Sequence, residues 1–473
     1  MKKILAKKDF GFQFKWMCVD SFSSTITSKS YVAKPKNIDD CLELISYSKS
    51  NGYTICPKGS GYSYADMILN NKEVLCDLTL MNSLIDWNPD TGVMVIEPGY
   101  RLHDALYIGL SDSWTLRACP GGMGITMAGA LSSNVHGKDS WKVGNFGDQV
   151  IQFKLITSSG EILVVSRENN SELFNAVISG MGLLGIIIEI TLQLSKVESP
   201  FVEVTTMPSN NLYSTISMLE NAKSDSDFSV AWVDSFSKGR NIGRGFVTTA
   251  KWIDAPQAMD RKALKASLTK STKIFDILPS RPTWSLAKPF FGPKSIKIAN
   301  YANYHHKRYK KRTSYTTLFP LYNFMHNKIP DLESIYKPHG FYEFEPLLPR
   351  DNGEENLIKL LELGHKYSSE SLLCAIKIHK ADDFALSYSL DGYSIGIDIQ
   401  RKSRKLENIK QYAHKIYNLT KEVGGKIYLS KDELILKELF VGMFENFDDF
   451  IRVKNKYDSV GLFQSDMYRR LFL

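Results

Sequence analysis

The sequence predicts an α+β fold with two unlike halves, and three observations carry that expectation. Over the first 195 residues, short β-branched and aromatic runs alternate with turn residues and a few helical stretches. Two loops crowded with small residues interrupt this part, one around Gly59 and one around Gly121. Beyond Pro200 the apolar runs lengthen and alternate with longer helical patterns.

Taken in order, residues 1–29 form a leader of unassigned fold. Lysines open it, but no long apolar segment follows, so it reads as a retained cytoplasmic N-terminus rather than a signal peptide. A short strand is expected at 32–35. A helix follows over 38–51: Asn37 precedes it as a cap, Leu42, Ile45 and Ser46 share a face, and Asn51-Gly52 ends it. Strands are expected over 53–56, 74–77, 85–88 and 93–97, the last stopped by Pro98-Gly99. A helix over 104–110 comes next. Ser159-Gly160 turns a hairpin between strands 153–157 and 162–166; a helix over 170–177 and a buried strand over 186–194 complete the half. In the second half, 357–365 and 405–423 read as helices. The stretch 254–335, rich in lysine, proline, serine and aromatics, reads as loop or cap. It holds a basic run from His305 to Arg312, followed by Tyr315, Leu318, Phe319, Leu321, Tyr322 and Phe324. We expect a mobile loop there whose apolar flank rests among anionic lipid headgroups.

Composition narrows the function classes. The chain has 473 residues, 43% of them hydrophobic, enough for a large core and two to three domains of about 150 residues. No apolar run reaches the roughly 18 residues of a membrane span. The six cysteines, Cys18, Cys41, Cys56, Cys76, Cys119 and Cys374, show no metal or redox spacing and read as reduced thiols; no metal is expected. A net charge of +8 favours anionic partners only mildly, and no nucleic-acid-binding module is present.

Gly180-Met181-Gly182-Leu183-Leu184-Gly185 fits the GxGxxG pattern, but a helix precedes it and a strand follows. A Rossmann site needs the reverse, so that a helix N-terminus meets the pyrophosphate. The two glycine-rich loops are more informative. Lys58 to Asp66 follows a strand and can turn consecutive N–H groups into one anion-binding concavity. Pro120 to Ala130, continuing to Lys138, is too rich in glycine for a packed helix and suits backbone laid against a flat or phosphate-bearing ligand.

These loops resemble the FAD-binding domain of the vanillyl-alcohol oxidase/p-cresol methylhydroxylase (PCMH-type) superfamily. GSGYSYAD is similar to its first pyrophosphate loop, PGGMGITMAGALSSNVHGK to the loop along the flavin, and SGMGLLGIIIEITLQL to the strand that closes the domain. Within that superfamily the chain resembles the decaprenylphosphoryl-β-D-ribose 2-oxidase family through the HGK segment at 136–138, Ala231 to Asp234, Gly340-Phe341, Ala375 to Lys377, Tyr428 to Asp432 and Ser465 to Leu471. The resemblance implies a two-subdomain FAD-binding domain over 30–195, an α+β substrate domain over 196–425, and a segment 426–473 that returns to the flavin. It implies FAD held by Lys58, Gly59, Ser60, Gly61, Tyr62, Ser63 and Tyr64, and by Pro120, Gly121, Gly122, Ile125, Thr126, Ala128, Gly129 and Ala130. Ser133, Asn134, His136 and Gly137, then Gly182, Gly185 and Ile187, and finally Tyr428 and Lys431 complete that set. Lys431, His136 and Tyr64 are the expected catalytic residues, and Lys138, Glu343, Glu345, Lys377 and Ser394 the expected substrate contacts.

Two departures matter. Tyr62 stands where covalent members often carry a linking histidine, so the FAD is expected to be noncovalent. Glu343 and Glu345 stand where the ribose oxidases have two glutamines, and Ser394 and Gly396 where they have Asn and Cys. The implied activity is oxidation of a sugar ring hydroxyl to a ketone by hydride transfer to flavin N5. The implied substrate is a polyprenyl-phosphoryl pentose of cell-envelope polysaccharide synthesis, with a short-chain reductase as partner completing an epimerisation. A soluble sugar, polyol or aldonolactone oxidase using oxygen, and an inactive flavin-binding protein, remain alternatives.

Overall fold

Asn37 decides where the first helix starts. Its side chain accepts the Asp40 N–H at 2.9 Å, and Gly52, in the left-handed region at φ 65°, closes the helix Ile38–Asn51 at the other end. The computed structural model describes residues 11–255, 260–274, 277–324, 329–401 and 406–473. The buried face of this helix is Cys41, Leu44, Ile45 and Ser48, while Ser46 is exposed and Leu42 half-buried. The face is rotated from the expected one because this set keeps the full helical period and meets Ala33, Ile55 and Val74 beneath it.

Part of the leader is a strand: Lys15–Asp20 pairs antiparallel with Thr27–Ala33, and residues 1–10 lie outside the described residues. Thr27–Ala33 and Ile55–Lys58 flank Val74–Asp77, both in parallel register. The helix Ile38–Asn51 is the crossover that such parallel pairing requires. A second sheet, antiparallel throughout, runs in the order Leu84–Asn88, Val93–Ile96, Ile186–Gln193, Val150–Ile156, Ile162–Ser166. The expected hairpin forms, with Gly160 at φ 90° in its turn. Ile186–Gln193 is central, which explains its almost unbroken apolar run.

The second half is built on a nine-stranded antiparallel sheet whose middle strands are Phe228–Val233, Cys374–His379 and Gly392–Gln400. The helices Leu212–Asn221, Gly353–Lys366 and Leu406–Glu422 pack against it. The last matches the expected 405–423 closely, although Lys405 lies outside the described residues. One apolar cluster runs from Ile96 and Leu192 through Val202 and Ile376 to Phe440 and Leu471, so the second sheet, the large sheet and the C-terminal helices share a core.

Two expectations are corrected. Lys307, Arg308 and Lys310 end an 18-residue helix, Pro293–Lys310, rather than lie in a loop. The apolar stretch after them is mostly core: Phe319, Tyr322 and Phe324 are buried, because Phe319–Asn323 packs against the edge strand Thr313–Leu318 and its neighbour Phe201–Ser209. Tyr315 alone of that stretch is well exposed.

The C-terminal segment comes back to the first sheet. Ile55 N–H donates to Leu462 O at 2.8 Å and Gln464 N–H to Ile55 O at 3.0 Å. Arg470 grips Asp66 through two bonds, Nε to Oδ2 at 2.8 Å and Nη2 to Oδ1 at 2.9 Å.

Candidate active site

The return of the C-terminal segment closes a cavity of about 360 Å³ between the two glycine-rich loops and the large sheet. Loop 58–64 leaves the strand Ile55–Lys58 and lies directly on the second loop. A Cβ on Gly59 would stand 2.0 Å from Thr126 Oγ1, and one on Gly124 would stand 2.5 Å from the Tyr62 hydroxyl. These two glycines are close-approach positions: they let the loops touch. The Tyr62 ring is clamped between Phe22, stacked at 5.6 Å, and the backbone of the second loop.

The N–H groups of Ser60, Gly61, Tyr62 and Ser63 have no acceptor among the described residues, although they border the cavity. Gly121 borders it too, and a Cβ there would meet no atom within 4 Å. The Lys58 ammonium stands beside them, bonded to Gly59 O at 3.0 Å. Consecutive free donors next to a cation form a pyrophosphate cradle. Ile68, Ile125, Met181 and Ile187 supply apolar walls for flat rings. Residues at this end therefore fit FAD, which supplies, when bound, the acceptor for a hydride, that is, for one proton and two electrons together.

At the other end the large sheet presents charged groups. Lys431 bridges two carboxylates: its Nζ is in short contact with Glu343 Oε1 and lies 2.8 Å from Glu345 Oε2. It lies 5.3 Å from the centre of the Tyr64 ring. Burial disfavours its charge, but the two glutamates overcome that and hold its pKa well above the ordinary lysine value. Glu345 is enclosed, bonded by His136 Nε2 at 3.3 Å and Ser394 Oγ at 3.2 Å, with Lys377 Nζ at 3.9 Å. Despite burial, these partners hold its carboxyl well below the usual range.

His136 is neutral by the same physics. Burial outweighs the pull of Glu345 and brings its pKa down to about 4. Its Nδ1 faces Lys377 Nζ at 3.4 Å, so that nitrogen accepts, and Nε2–H donates to Glu345. Tyr428 donates its hydroxyl to Ser133 O at 3.0 Å and stacks on Tyr388 at 4.4 Å. Tyr64 N–H donates to Ser430 O at 3.0 Å, tying the first loop to the returning segment.

The structure brings Lys58 to Tyr64, Pro120 to Gly122, Ile125, Thr126, Ala128, Gly129, Ser133, His136, Gly182, Gly185, Ile187, Glu343, Lys377, Tyr428 and Lys431 to one cavity wall. Others stand behind it. Ala130 is core, and Gly137 packs against Ala118. Asn134 donates to Asp382 Oδ2 at 2.8 Å and to Ser387 Oγ at 3.1 Å. Glu345 and Ser394 support the wall from within. Lys138 turns away: its ammonium bonds the carbonyls of Tyr322 and Asn323 and lies over the Tyr322 ring. That is an anchoring role rather than the substrate contact expected.

The cavity also takes residues that sequence reading missed, among them Phe22, Tyr336, Phe341, Leu373 and Asp398. Asp398 had a signal. Strand alternation puts residues 394, 396 and 398 on one face, and Ser394 was already expected in the site. Its position opposite Glu343 is a matter of cross-strand register. His136, Glu345 and His379 also approach one another within 4.8 Å. The ammonium groups of Lys431 and Lys377 lie on the same carboxylate, at 2.8 Å and 3.9 Å.

Comparison with known proteins agrees with this geometry. A family profile described as FAD binding domain matches residues 29–166, and one described as D-arabinono-1,4-lactone oxidase matches residues 336–471. The chain is similar to the decaprenylphosphoryl-beta-D-ribose oxidase of Mycolicibacterium smegmatis, 25% identical over 90% of this chain and 91% of that protein. It is similar over shorter stretches to the D-arabinono-1,4-lactone oxidases of Debaryomyces hansenii and Candida albicans, each 26% identical over 34% of this chain and 31% of the relative. The loop-built cradle and these matches together mark the chain as an FAD-dependent oxidoreductase with an FAD binding domain over residues 29–166.

Proposed function

We propose that the chain oxidises a hydroxyl of a lipid-linked sugar, of the polyprenyl-phosphoryl pentose class, to a ketone. The observation that carries this is the composition of the cavity's outer wall. Glu343, Asp398, Lys377 and Lys431 offer acceptors and donors to a polyhydroxylated ring. Leu332, Tyr336 and Phe341 continue the wall, backed by Trp284, Phe291 and Ile296. On the helices Ser280–Ala287 and Pro293–Lys310 and the turn between them, Leu286, Phe290 and Ile298 are exposed, beside Arg281, Lys294 and Lys297. A sugar between the charged groups with an apolar tail along this helical segment satisfies both surfaces, and the basic side chains suit an anionic headgroup layer. Similarity along nearly the whole chain to a decaprenylphosphoryl-ribose oxidase supports the reading. Contact with the membrane is peripheral on this reading; no helix among the described residues is long and apolar enough to cross one.

In this arrangement Lys431 orients the hydroxyl oxygen and stabilises negative charge near it, while Tyr64 and Phe341 exclude water. A ketone made on a carrier lipid needs a reductase to become an epimer, and a short-chain reductase fits that role. A second reading, oxidation of a free sugar or aldonolactone, is favoured by the profile match over 336–471, which contains all four charged wall residues. The deciding test is anaerobic flavin bleaching by decaprenylphosphoryl-β-D-ribose, D-arabinono-1,4-lactone and xylitol. Fast bleaching by the lipid alone supports the first reading; fast bleaching by the free compounds with none by the lipid replaces it.

A further inference from the structure

We propose that Glu343 and Asp398 form a carboxyl pair holding one proton between them, and that Glu343 takes up the hydroxyl proton of the alcohol being oxidised. The second half of this rests on the functional reading above; the first does not.

The pair is built by register. Glu343 on Phe341–Phe344 stands directly opposite Asp398 on Gly392–Gln400; both side chains are buried, and both line the cavity. Gly396, one step along the same face, leaves room: a Cβ there would come 3.7 Å from Glu343 Oε1. The titratable groups that interact with the pair are Tyr64, Lys431, Lys377, Tyr428, Tyr336, Glu345 and Cys374.

Charge balance requires the shared proton. Glu343, Glu345 and Asp398 face the two ammonium groups of Lys431 and Lys377, while His136 is neutral. Three carboxylates against two cations would leave one uncompensated charge in a buried site, and proton uptake is the low-cost remedy. Asp398 is the member that keeps it: burial and its neighbour Glu343 raise its pKa well above the ordinary value. Its O–H then donates to the Glu343 carboxylate.

The other cavity groups are unsuited to accept a proton. The one lone-pair nitrogen of His136 faces Lys377. Lys431 is fully charged between two glutamates, and Tyr64 is a neutral phenol whose pKa is pushed well up. Glu345 is closed in behind the wall by His136, Ser394 and Lys431. Glu333 also lines the cavity but is half-exposed, on a short helix away from the ammonium groups. Glu343 therefore remains as the buried acceptor. In the step, the alcohol O–H bond breaks and its proton passes to Glu343. The carbinol C–H bond breaks and its hydrogen leaves with both electrons for the flavin, and the C=O bond forms. The pair then holds two protons, and one is released to solvent after the ketone leaves.

The test uses the FAD-loaded protein with two variants, Asp398→Asn and Glu343→Gln. Infrared difference spectra against wild type at neutral pH, in H2O and D2O, need no substrate. A protonated-carboxyl C=O band must disappear in both variants, because either change removes the partner that keeps the proton in place. Spectra identical to wild type overturn the shared proton. Glu343→Gln, with flavin absorbance and FAD content intact, should also bleach on the order of 100-fold more slowly with the best of the three compounds named above, and Glu343→Asp should recover part of that rate. A Glu343→Gln protein bleaching at wild-type rate overturns proton uptake. No bleaching of wild type by any of the three overturns the functional reading and proton uptake with it, while the infrared result still decides the pair.

Discussion

Lys431 illustrates how much one residue depends on its surroundings here. An isolated buried ammonium would lose its charge; between Glu343 and Glu345 it keeps it, and in the proposed reaction it is the fixed positive site beside a developing alkoxide. Lys431→Ala should therefore retain FAD and lower substrate-dependent bleaching on the order of 100-fold, with a loss of stability of about 3 kcal/mol from the stranded carboxylates. Wild-type bleaching would reduce Lys431 to a structural residue. Tyr62 makes the second prediction at this scale. Its ring is wedged between Phe22 and the second loop and it offers no nucleophilic nitrogen for a bond to the flavin. Acid precipitation should leave the yellow colour in the supernatant, and colour held in the pellet would show a covalent link.

At the scale of elements, two contacts set how the cavity is held. The glycine loops touch at Gly59 and Thr126, so Gly59→Ala should push them apart, cost about 1–3 kcal/mol and cut FAD occupancy. Gly121→Ala, whose Cβ meets no atom, should leave the apoprotein's melting temperature unchanged. Equal effects of the two on apoprotein melting would refute the loop contact. The second contact joins the N-terminal hairpin to the returning segment: Thr25 Oγ1 donates to Glu433 Oε2 at 2.5 Å. Burial pushes the Glu433 carboxyl up to about 8, from an ordinary value of 4.5. The folded state thus binds this proton more tightly than the unfolded chain. Its contribution to stability is complete below pH 4.5, falls as pH rises, and is gone above pH 8. Glu433→Gln should melt like wild type at pH 4 and be more stable at pH 8.5, by about 4–5 kcal/mol if the full shift from 4.5 to about 8 is expressed. A difference independent of pH would show that folding leaves the Glu433 carboxyl unshifted.

For the whole molecule, the question is where the protein meets its surroundings. The apolar surface lies on the helices Ser280–Ala287 and Pro293–Lys310 and the turn between them, with Leu286, Phe290 and Ile298 each more than 70% exposed, and Arg308, Lys310, Lys311 and Arg312 are exposed at the end of the second helix. Each basic residue near an anionic surface contributes about 1 kcal/mol, and the apolar side chains add to that when they insert. The protein should sediment with anionic vesicles at low salt and be released at high salt. The triple change Leu286→Ser, Phe290→Ser, Ile298→Ser should lower binding at least about tenfold. Equal recovery on neutral and anionic vesicles, or no effect of the triple change, would remove this face as the contact.

The sequence alone determined whatever depends on neighbours along the chain. Asn37 and Gly52 mark the first helix because a cap and a left-handed terminus are local chemistry. Ser159-Gly160 marks its hairpin for the same reason, and the crowded glycines of the two loops exposed the cradle because such density has few structural uses. The order of helix and strand around Gly180 to Gly185 was enough to reject a Rossmann site. Only the tertiary structure decided what depends on register and return. The parallel pairing of the first sheet, the burial of Phe319 and Phe324, the turning away of Lys138 and the meeting of Asp398 with Glu343 join residues far apart in sequence. Lys431 reaches Glu343 only because a sheet built from the second half brings the C-terminal segment back over the first. The physical reason is that caps and turns are set by bonds a few residues long. The charge state of a buried cluster is set by every group packed against it.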